Sequence, residues 1–569
     1  MTFPLQISRL FPRLDVLTRF FDRNAKRPRR PMGFMAALFR QWPVFPAILV
    51  GLLLRLEFRV GLLGGNPQDD AIYVAISRGI VEHQYGLERY LSIPNNYQAN
   101  PAEWFVFRAA FTYPMALMFR LFGEGDLSAT LVPLIASLVN IWLVYRIGCL
   151  TADRRTGLIG AWLMAVFPLD IIMSTRVLTD VPFSCLTMAG IFCVLKGTFE
   201  QRDRWWLIAG LFFGIGYLTK ILALPLAMAF SPALLFVAWR AHRLRWVCYF
   251  AAGLGLVLLM EFVTYRLLTG RFLLHSFIVR SASAYKILSE PWTYHRLFPG
   301  VVATSEGNFQ YYLLQLLGIE RDGPLELSGI GLHAYLWFAG LAFVIAYRRR
   351  TALLVAYGFV LVYLWLEIIP IHIESREGQL GVMFFCRQLR YLVSLAPFGA
   401  VLGATLISAL MSKQRLFASA ILVALVVSGW SSLRHDFETQ HYSLEDLRQV
   451  SRLVRDTNAK IYVDGFGIFL INYYLGGHMD SRFVEIATVK DPAEIEHGFV
   501  IVGGCRGIEL VSSVVTDGLP PWARALEKGG PKPNPEWTEV ATIVGKKDEI
   551  REHDLRLFLV GGPAEVGIP

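Results

Sequence analysis

Residues 127–147 read LSATLVPLIASLVNIWLVYRI, an apolar run whose one charge, Arg146, stands at its far end. About twenty such residues, rising 1.5 Å each as a helix, match the ~30 Å hydrocarbon core of a bilayer. Working outward, runs of the same kind lie near 43 to 63, 157 to 173, 179 to 198, 205 to 221 and 222 to 239, and again near 246 to 268, 330 to 347, 352 to 370, 391 to 411 and 416 to 432. The pattern predicts an α-helical polytopic membrane protein of about eleven transmembrane helices. Composition agrees: with 54% hydrophobic and 18% charged residues and a mean hydropathy of +0.45, the chain cannot cover itself with polar groups as a soluble fold does.

The net charge of +10 does not signal nucleic acid, because the cations stand in short clusters between apolar runs. With a cytoplasmic N-terminus, the inside loops carry Arg154 and Arg155, then Arg202 and Arg204, then Arg240, Arg243 and Arg245. Arg348, Arg349 and Arg350 follow, then Lys413 and Arg415, as the positive-inside rule requires. This divides the chain into a basic cytoplasmic segment (1–42), a transmembrane domain (43–432) with large outer loops at 64–126 and 269–329, and an outer C-terminal domain (433–569). In that last part SLEDLRQVSRLVRDT reads as helix, and AKIYVD, GFVIVGG, ATIVG and LRLFLV read as strands, which predicts a small extracytoplasmic α/β domain. The basic N-terminal stretch without an A-x-A site reads as an uncleaved anchor. Cys149, Cys185, Cys193, Cys248, Cys386 and Cys505 show neither CxxC spacing nor a disulfide framework. The lack of N-x-[ST] sequons and of an ER-retention tail points to a bacterial inner membrane.

Chemistry concentrates on the outer side. In GGNPQDDAIY, Asp69 and Asp70 follow a Gly/Pro turn at the start of a helical pattern, beside the membrane surface. Acids there cap a helix and complement its dipole; equally, one carboxylate can take a proton from an acceptor hydroxyl while the other orients it or binds a metal. The stretch 103–122 reads as an amphipathic helix lying on the bilayer. In FPLDIIMSTRVLTDVPFSC, Asp170, Arg176 and Asp180 stand at an outer turn, where Asp180 is either an N-cap or a site residue. Lys220 lies between two apolar runs on the side where positive-inside logic puts no lysine, so it either snorkels or holds a phosphate. Arg376, Arg387, Arg390 and Tyr391 lie on the same side; arginine suits gripping a phosphate, and also anchoring at headgroups.

The order of these motifs resembles the GT-C glycosyltransferases, above all the protein O-mannosyltransferase and lipid A aminoarabinose transferase group. The acidic pair of QDDAIY comes first, then YPMALMFRLFG (113–123), the turn TDVP (179–182), GLFFGIGYLTK (210–220) and RYLVSLAPF (390–398). The resemblance covers about 43 to 411. It implies a catalytic base at Asp69, with Asp70 where the family commonly has glutamate, and Asp180 in the same cavity. It also implies cations that bind a lipid phosphate, Lys220 and Arg390, with Arg387 and Tyr391 beside them. The implied reaction is inverting transfer of a sugar from a polyprenyl-phosphate donor to an envelope acceptor, be it lipid A or core, glycan, lipid or protein, on the periplasmic face. No cofactor is called for. A divalent metal at Asp70 or Asp180 stays compatible with the chemistry, though no His/Asp cluster has ligand spacing. A lipid or sugar flippase and an oligosaccharide polymerase or ligase are the competing classes; the long first outer loop and the outer domain argue against the former.

Overall fold

The computed structural model describes residues 42–59, 67–83, 108–270, 330–347, 351–368, 370–376, 379–384, 389–441, 445–463, 481–503, 520–543 and 555–561, with isolated positions between 468 and 475. The chain divides into two compact units, Met1–Pro46 and Ala47–Pro569. Of the first, residues 42–46 are described, where the helix Phe45–Glu57 begins.

Among the described residues, six helices are long and apolar enough to cross a membrane: Asp126–Thr151, Asp180–Glu200, Ala223–Arg240, Arg245–Thr269, Ala396–Lys413 and Arg415–His441. Other expected runs form shorter helices, Asp203–Thr219, His333–Ala346 and Leu353–Ile368. The expected run at 157–173 is broken into Arg154–Ala165 and Pro168–Met173. Pro168 has no N–H to continue the ladder, and it forces Phe167 into an extended conformation (φ −73°, ψ 117°).

That break carries Asp170 inward rather than to the surface turn expected of it. Asp170 is fully buried and pairs at 2.5 Å with Arg55 of the first helix, also fully buried. Arg55 donates further to Ser137 Oγ (2.7 Å) and to the carbonyls of Gly51 (2.8 Å) and Ala165 (3.1 Å), and Ser137 donates to Asp170. Arg55 thereby ties the first helix to Asp126–Thr151 through Ser137, to Arg154–Ala165 through Ala165 and to Pro168–Met173 through Asp170. Elsewhere glycine permits contact of backbone on backbone. A Cβ at Gly210 would stand 2.0 Å from the carbonyl oxygen of Phe250, and one at Gly253 would stand 2.2 Å from that of Leu207. Asp203–Thr219 and Arg245–Thr269 therefore pack as small-residue membrane helices do.

The C-terminal part holds a five-stranded mixed sheet. With β3 Ile461–Val463, β4 Phe483–Glu485, β5 Gly498–Val502, β6 Thr538–Ile543 and β7 Leu555–Val560, the strand order is β4-β3-β5-β7-β6. The labels β1 and β2 belong to a separate antiparallel ribbon, Pro370–Arg376 and Gln379–Phe384, between the apolar runs expected near 352 to 370 and 391 to 411. Strand β3 runs parallel to β4 and β5, while β7 is antiparallel to β5 and β6. The four strand segments expected from sequence are the strands β3, β5, β6 and β7, and SLEDLRQVSRLVRDT supplies the helix Glu445–Val454.

The sheet edge is held by a fork between Arg556 of β7 and Glu539 of β6, with contacts of 2.7 and 3.0 Å, and Arg556 also bonds the carbonyl of Leu526 at 2.7 Å. Hydrogen bonds from Arg556, and then from Thr542, hold the Glu539 carboxyl down at about 2. A lowered folded-state value means stability that is complete above the ordinary glutamate range and is lost as pH falls through about 2. Hydrogen exchange in β6 and β7, followed as pH falls, should accordingly show a stabilising component in wild type that is held above the ordinary glutamate range and lost between that range and about 2. In Glu539→Gln that acid-sensitive component disappears. Identical acid profiles would show that the fork contributes nothing.

Candidate active site

Four elements meet through their ends. The helix Asp180–Glu200 starts at Asp180, and Asp203–Thr219 ends at Lys220; these two side chains form a buried ion pair. The 3-10 helix Leu389–Ser394, which leads into Ala396–Lys413, contributes Arg390 and Tyr391. Lys220 Nζ lies 4.1 Å from the centroid of the Tyr391 ring, and Arg390 donates to the Tyr391 hydroxyl at 3.3 Å. From the fourth element, Arg108 precedes Ala109–Phe122 in a left-handed conformation (φ 53°, ψ 42°) that is uncommon for a side-chain-bearing residue. Its Nη1 donates to Thr179 Oγ1 (2.8 Å) and to the Thr219 carbonyl (3.2 Å). Arg390 and Arg108 both lie close enough to Asp180 and Lys220 to act on them electrostatically.

The acidic pair reaches this cluster through Arg108. Asp69 and Asp70 stand in the first turn of the helix Pro67–Glu82, with Asp70 fully buried; the Asp69 side chain lies outside the described residues. Tyr73, one turn after Asp70 and so on its side of the helix, packs edge-on against Phe111 at 5.3 Å. The Arg108 guanidinium sits over the same Tyr73 ring at 5.4 Å. Ser77 fastens the two helices, donating to the Thr112 carbonyl at 3.0 Å. A second clasp joins Arg78, buried on the same helix, to Glu124.

Of the residues singled out by sequence, Asp180, Lys220, Arg390 and Tyr391 come together. Arg376 lies in β1, and Arg387 lies outside the described residues. Arg108 was passed over, although a lone cation within EWFVFRAAF carries the same signal as Lys220. Glu261, a buried acid inside the bilayer-length helix Arg245–Thr269, was passed over too. Among the described residues no group of three or more His, Cys, Asp and Glu side chains is arranged to hold a metal. At Asp180 the donor set does not fit a divalent ion: its carboxylate is taken by Lys220, and two arginines stand nearby. The surroundings favour an anion. Among the described residues Arg108, Lys220 and Arg390 gather about Asp180, and helices begin at Asp180, at Ala109 and at Ala396, presenting their positive ends on this side.

The whole chain is similar to ArnT from Cupriavidus metallidurans, solved bound to undecaprenyl phosphate, with a TM-score of 0.54 and 12% identity over 91% of this chain and 99% of that one. The fold is that of the GT-C glycosyltransferases. A second GT-C structure, the Archaeoglobus fulgidus oligosaccharyltransferase tethered to an acceptor peptide, gives a TM-score of 0.50 and 13% identity over 86% of this chain and 72% of that one. A family model described as dolichyl-phosphate-mannose-protein mannosyltransferase matches residues 110–265. That segment holds Asp180 and Lys220, and leaves the acidic pair and Arg390 outside it. A search of curated proteins gave no match.

Proposed function

We propose that the protein is an inverting glycosyltransferase that moves a sugar from a polyprenyl-phosphate donor to an envelope acceptor on the periplasmic face of a bacterial inner membrane. The observation that carries this is the gathering of Arg108, Lys220 and Arg390 about the buried Asp180, where helices of the membrane domain end. Guanidinium and ammonium groups gathered in a desolvated place are suited to holding an anionic phosphate. The anion that enters from the bilayer is a lipid phosphate. The neighbouring fold supports the same reading, since ArnT was solved with undecaprenyl phosphate.

The reaction proposed is a single displacement. The acceptor hydroxyl attacks the anomeric carbon from the face opposite the phosphate, and Asp69 takes its proton while Asp70, one residue on, orients the helix start. The C–O bond to the phosphate breaks as the new glycosidic bond forms, so configuration inverts. The leaving group departs as a phosphomonoester anion, and Lys220, Arg108 and Arg390 meet the charge that develops on it. Holding those cations in place beforehand avoids their reorganisation during reaction, a purpose for which the left-handed Arg108 conformation is a reasonable strain to maintain.

The test is an assay of the purified full chain against a panel of polyprenyl-phosphate sugars, with membrane lipid extract as acceptor. Expected are release of free polyprenyl phosphate from one donor and NMR evidence of the opposite anomer in the product. If every donor survives intact while a labelled lipid crosses the bilayer of proteoliposomes, the reading is overturned in favour of a flippase. Sugar transfer in blocks from a diphosphate-linked oligosaccharide would overturn it in favour of a polymerase or ligase.

A further inference from the structure

We infer that the C-terminal sheet is part of the catalytic apparatus: its inner face is the bed that fixes the carboxylate helix Pro67–Glu82, and Phe499 is a positioning residue for the acids on that helix. The inference builds on the function proposed above.

Side chains alternate along a strand, and here the alternation sorts them into two separate cores. Phe499 and Ile501 of β5, with Leu555, Leu557 and Leu559 of β7, share one hydrophobic core with Tyr73, Val74, Ala75 and Ile76 of the carboxylate helix. Val500, Val502, Phe558 and Val560, from the same two strands, belong to the other core, with Ala523, Leu526 and Trp537. The first core also takes in Val450 and Val454 of the helix Glu445–Val454, with Ile468 and Ile471, so one face of the sheet and these C-terminal residues share a core with the carboxylate helix, and the other face packs with Ala523, Leu526 and Trp537.

The helix needs that support. Every residue from Tyr73 to Gly79 is buried, so apolar and polar sides alike have protein against them. A helix buried all round has no stable place of its own and takes its position from its neighbours. One neighbour is Ala109–Phe122, through Phe111, Met115 and Phe119 in the same core; the rest of that core is Ala129, Val177 and the residues of the C-terminal domain, the inner face of the sheet among them. The first turn of this helix carries Asp69 and Asp70, whereas Lys220 and Arg390 stand on elements that contribute nothing to this core. Loosening the inner face of the sheet thus shifts the acids relative to Lys220 and Arg390, the two phosphate-binding cations whose elements lie outside this core. A misplacement near 1 Å costs up to about 100-fold in rate. It should leave the binding of donor phosphate as it was.

Phe499→Ala and Phe558→Ala make a matched pair, removing the same side chain from opposite faces of one sheet; the two residues are 2% and 0% exposed. Both cavities should lower the stability of the C-terminal sheet by a similar amount. Expected for Phe499→Ala is a fall in kcat of about 10-fold to 100-fold with the donor KM unchanged. Faster hydrogen exchange in residues 67–82 should accompany it, and Phe499→Leu should recover most of the activity. Phe558→Ala should keep wild-type kcat and wild-type exchange in that helix. Should Phe499→Ala not fold, Ile501→Val removes one methyl group from the same face and reads the same two quantities. Equal exchange in residues 67–82 for the inner-face and outer-face variants overturns the inference, as does an unchanged kcat at Phe499→Ala. If wild type consumes no donor, the glycosyltransferase reading fails, and the exchange measurement still decides whether the sheet fixes the helix.

Discussion

Replacing Asp69 by asparagine lowers kcat by about 10²-fold to 10⁴-fold, the range that loss of a general base produces. Asparagine keeps the shape and the capping capacity of aspartate at a helix start, so the helix Pro67–Glu82 has little reason to move. What vanishes is an oxygen able to take a proton, together with a dipole interaction worth about 0.3–1 kcal/mol. The donor KM changes little, because the phosphate is held by residues on other elements. The acid limb of the kcat–pH profile, which reports deprotonation of the base, flattens. Asp70→Asn separates the two acids. Asp70 is fully buried within the same helix, and its replacement acts on the placement and stability of that helix, giving a loss that is smaller in kcat and larger in thermal stability. Wild-type turnover by Asp69→Asn, with Asp70→Asn inactive and well folded, would transfer the base to Asp70.

Lys220→Met carries the second large effect. Methionine keeps the length of the lysine stem and removes its charge, so two consequences separate. One is catalytic: a preorganised cation that meets developing negative charge is worth about 10²-fold to 10³-fold in kcat, by analogy with removal of a single oxyanion donor. The other is structural, since Asp180 is left as a buried carboxylate without its bonded partner. Breaking a buried pair on one side costs about 3–5 kcal/mol where nothing else compensates. Arg390 and Arg108 stand near enough to Asp180 to offset part of that. The double variant Lys220→Met/Asp180→Asn removes the orphaned charge, so thermal stability recovers while activity stays low. Asp180→Asn alone raises the positive charge of the cluster, and the product phosphate should bind more tightly and inhibit more strongly. Recovery of activity together with stability in the double variant would reduce the pair to a structural role and remove Lys220 from the site.

Much of the site was legible before any coordinates. Asp180, Lys220, Arg390 and Tyr391 drew attention because each is polar at the edge of an apolar run, on the side where positive-inside logic expects few cations, and the fold brings these four together. The same logic applied to Arg108 points to it as well. It escaped because the apolar residues around it fit an interfacial helix, and no local pattern reveals that its guanidinium reaches Thr179 and the Thr219 carbonyl, 71 and 111 residues away. Asp170 is the converse case. An acid at a presumed surface turn reads as exposed until Pro168 breaks the helix and Arg55, 115 residues distant, is found against it.

The sequence by itself determined that the chain lives in a membrane and where its apolar helices run. It also determined that the last 137 residues or so alternate helix with strand, since each of these is a matter of hydropathy, of charge in loops, and of a period of 3.6 or 2. Tertiary structure alone decided which charges are brought together, Lys220 with Asp180 and Arg55 with Asp170 among them. It alone brought the inner face of the C-terminal sheet into one core with a helix some four hundred residues earlier in the chain. The reason is physical. Hydropathy is a property of neighbours in sequence, whereas desolvated ion pairs and shared cores form between residues that only the folded chain brings within a few ångströms of each other.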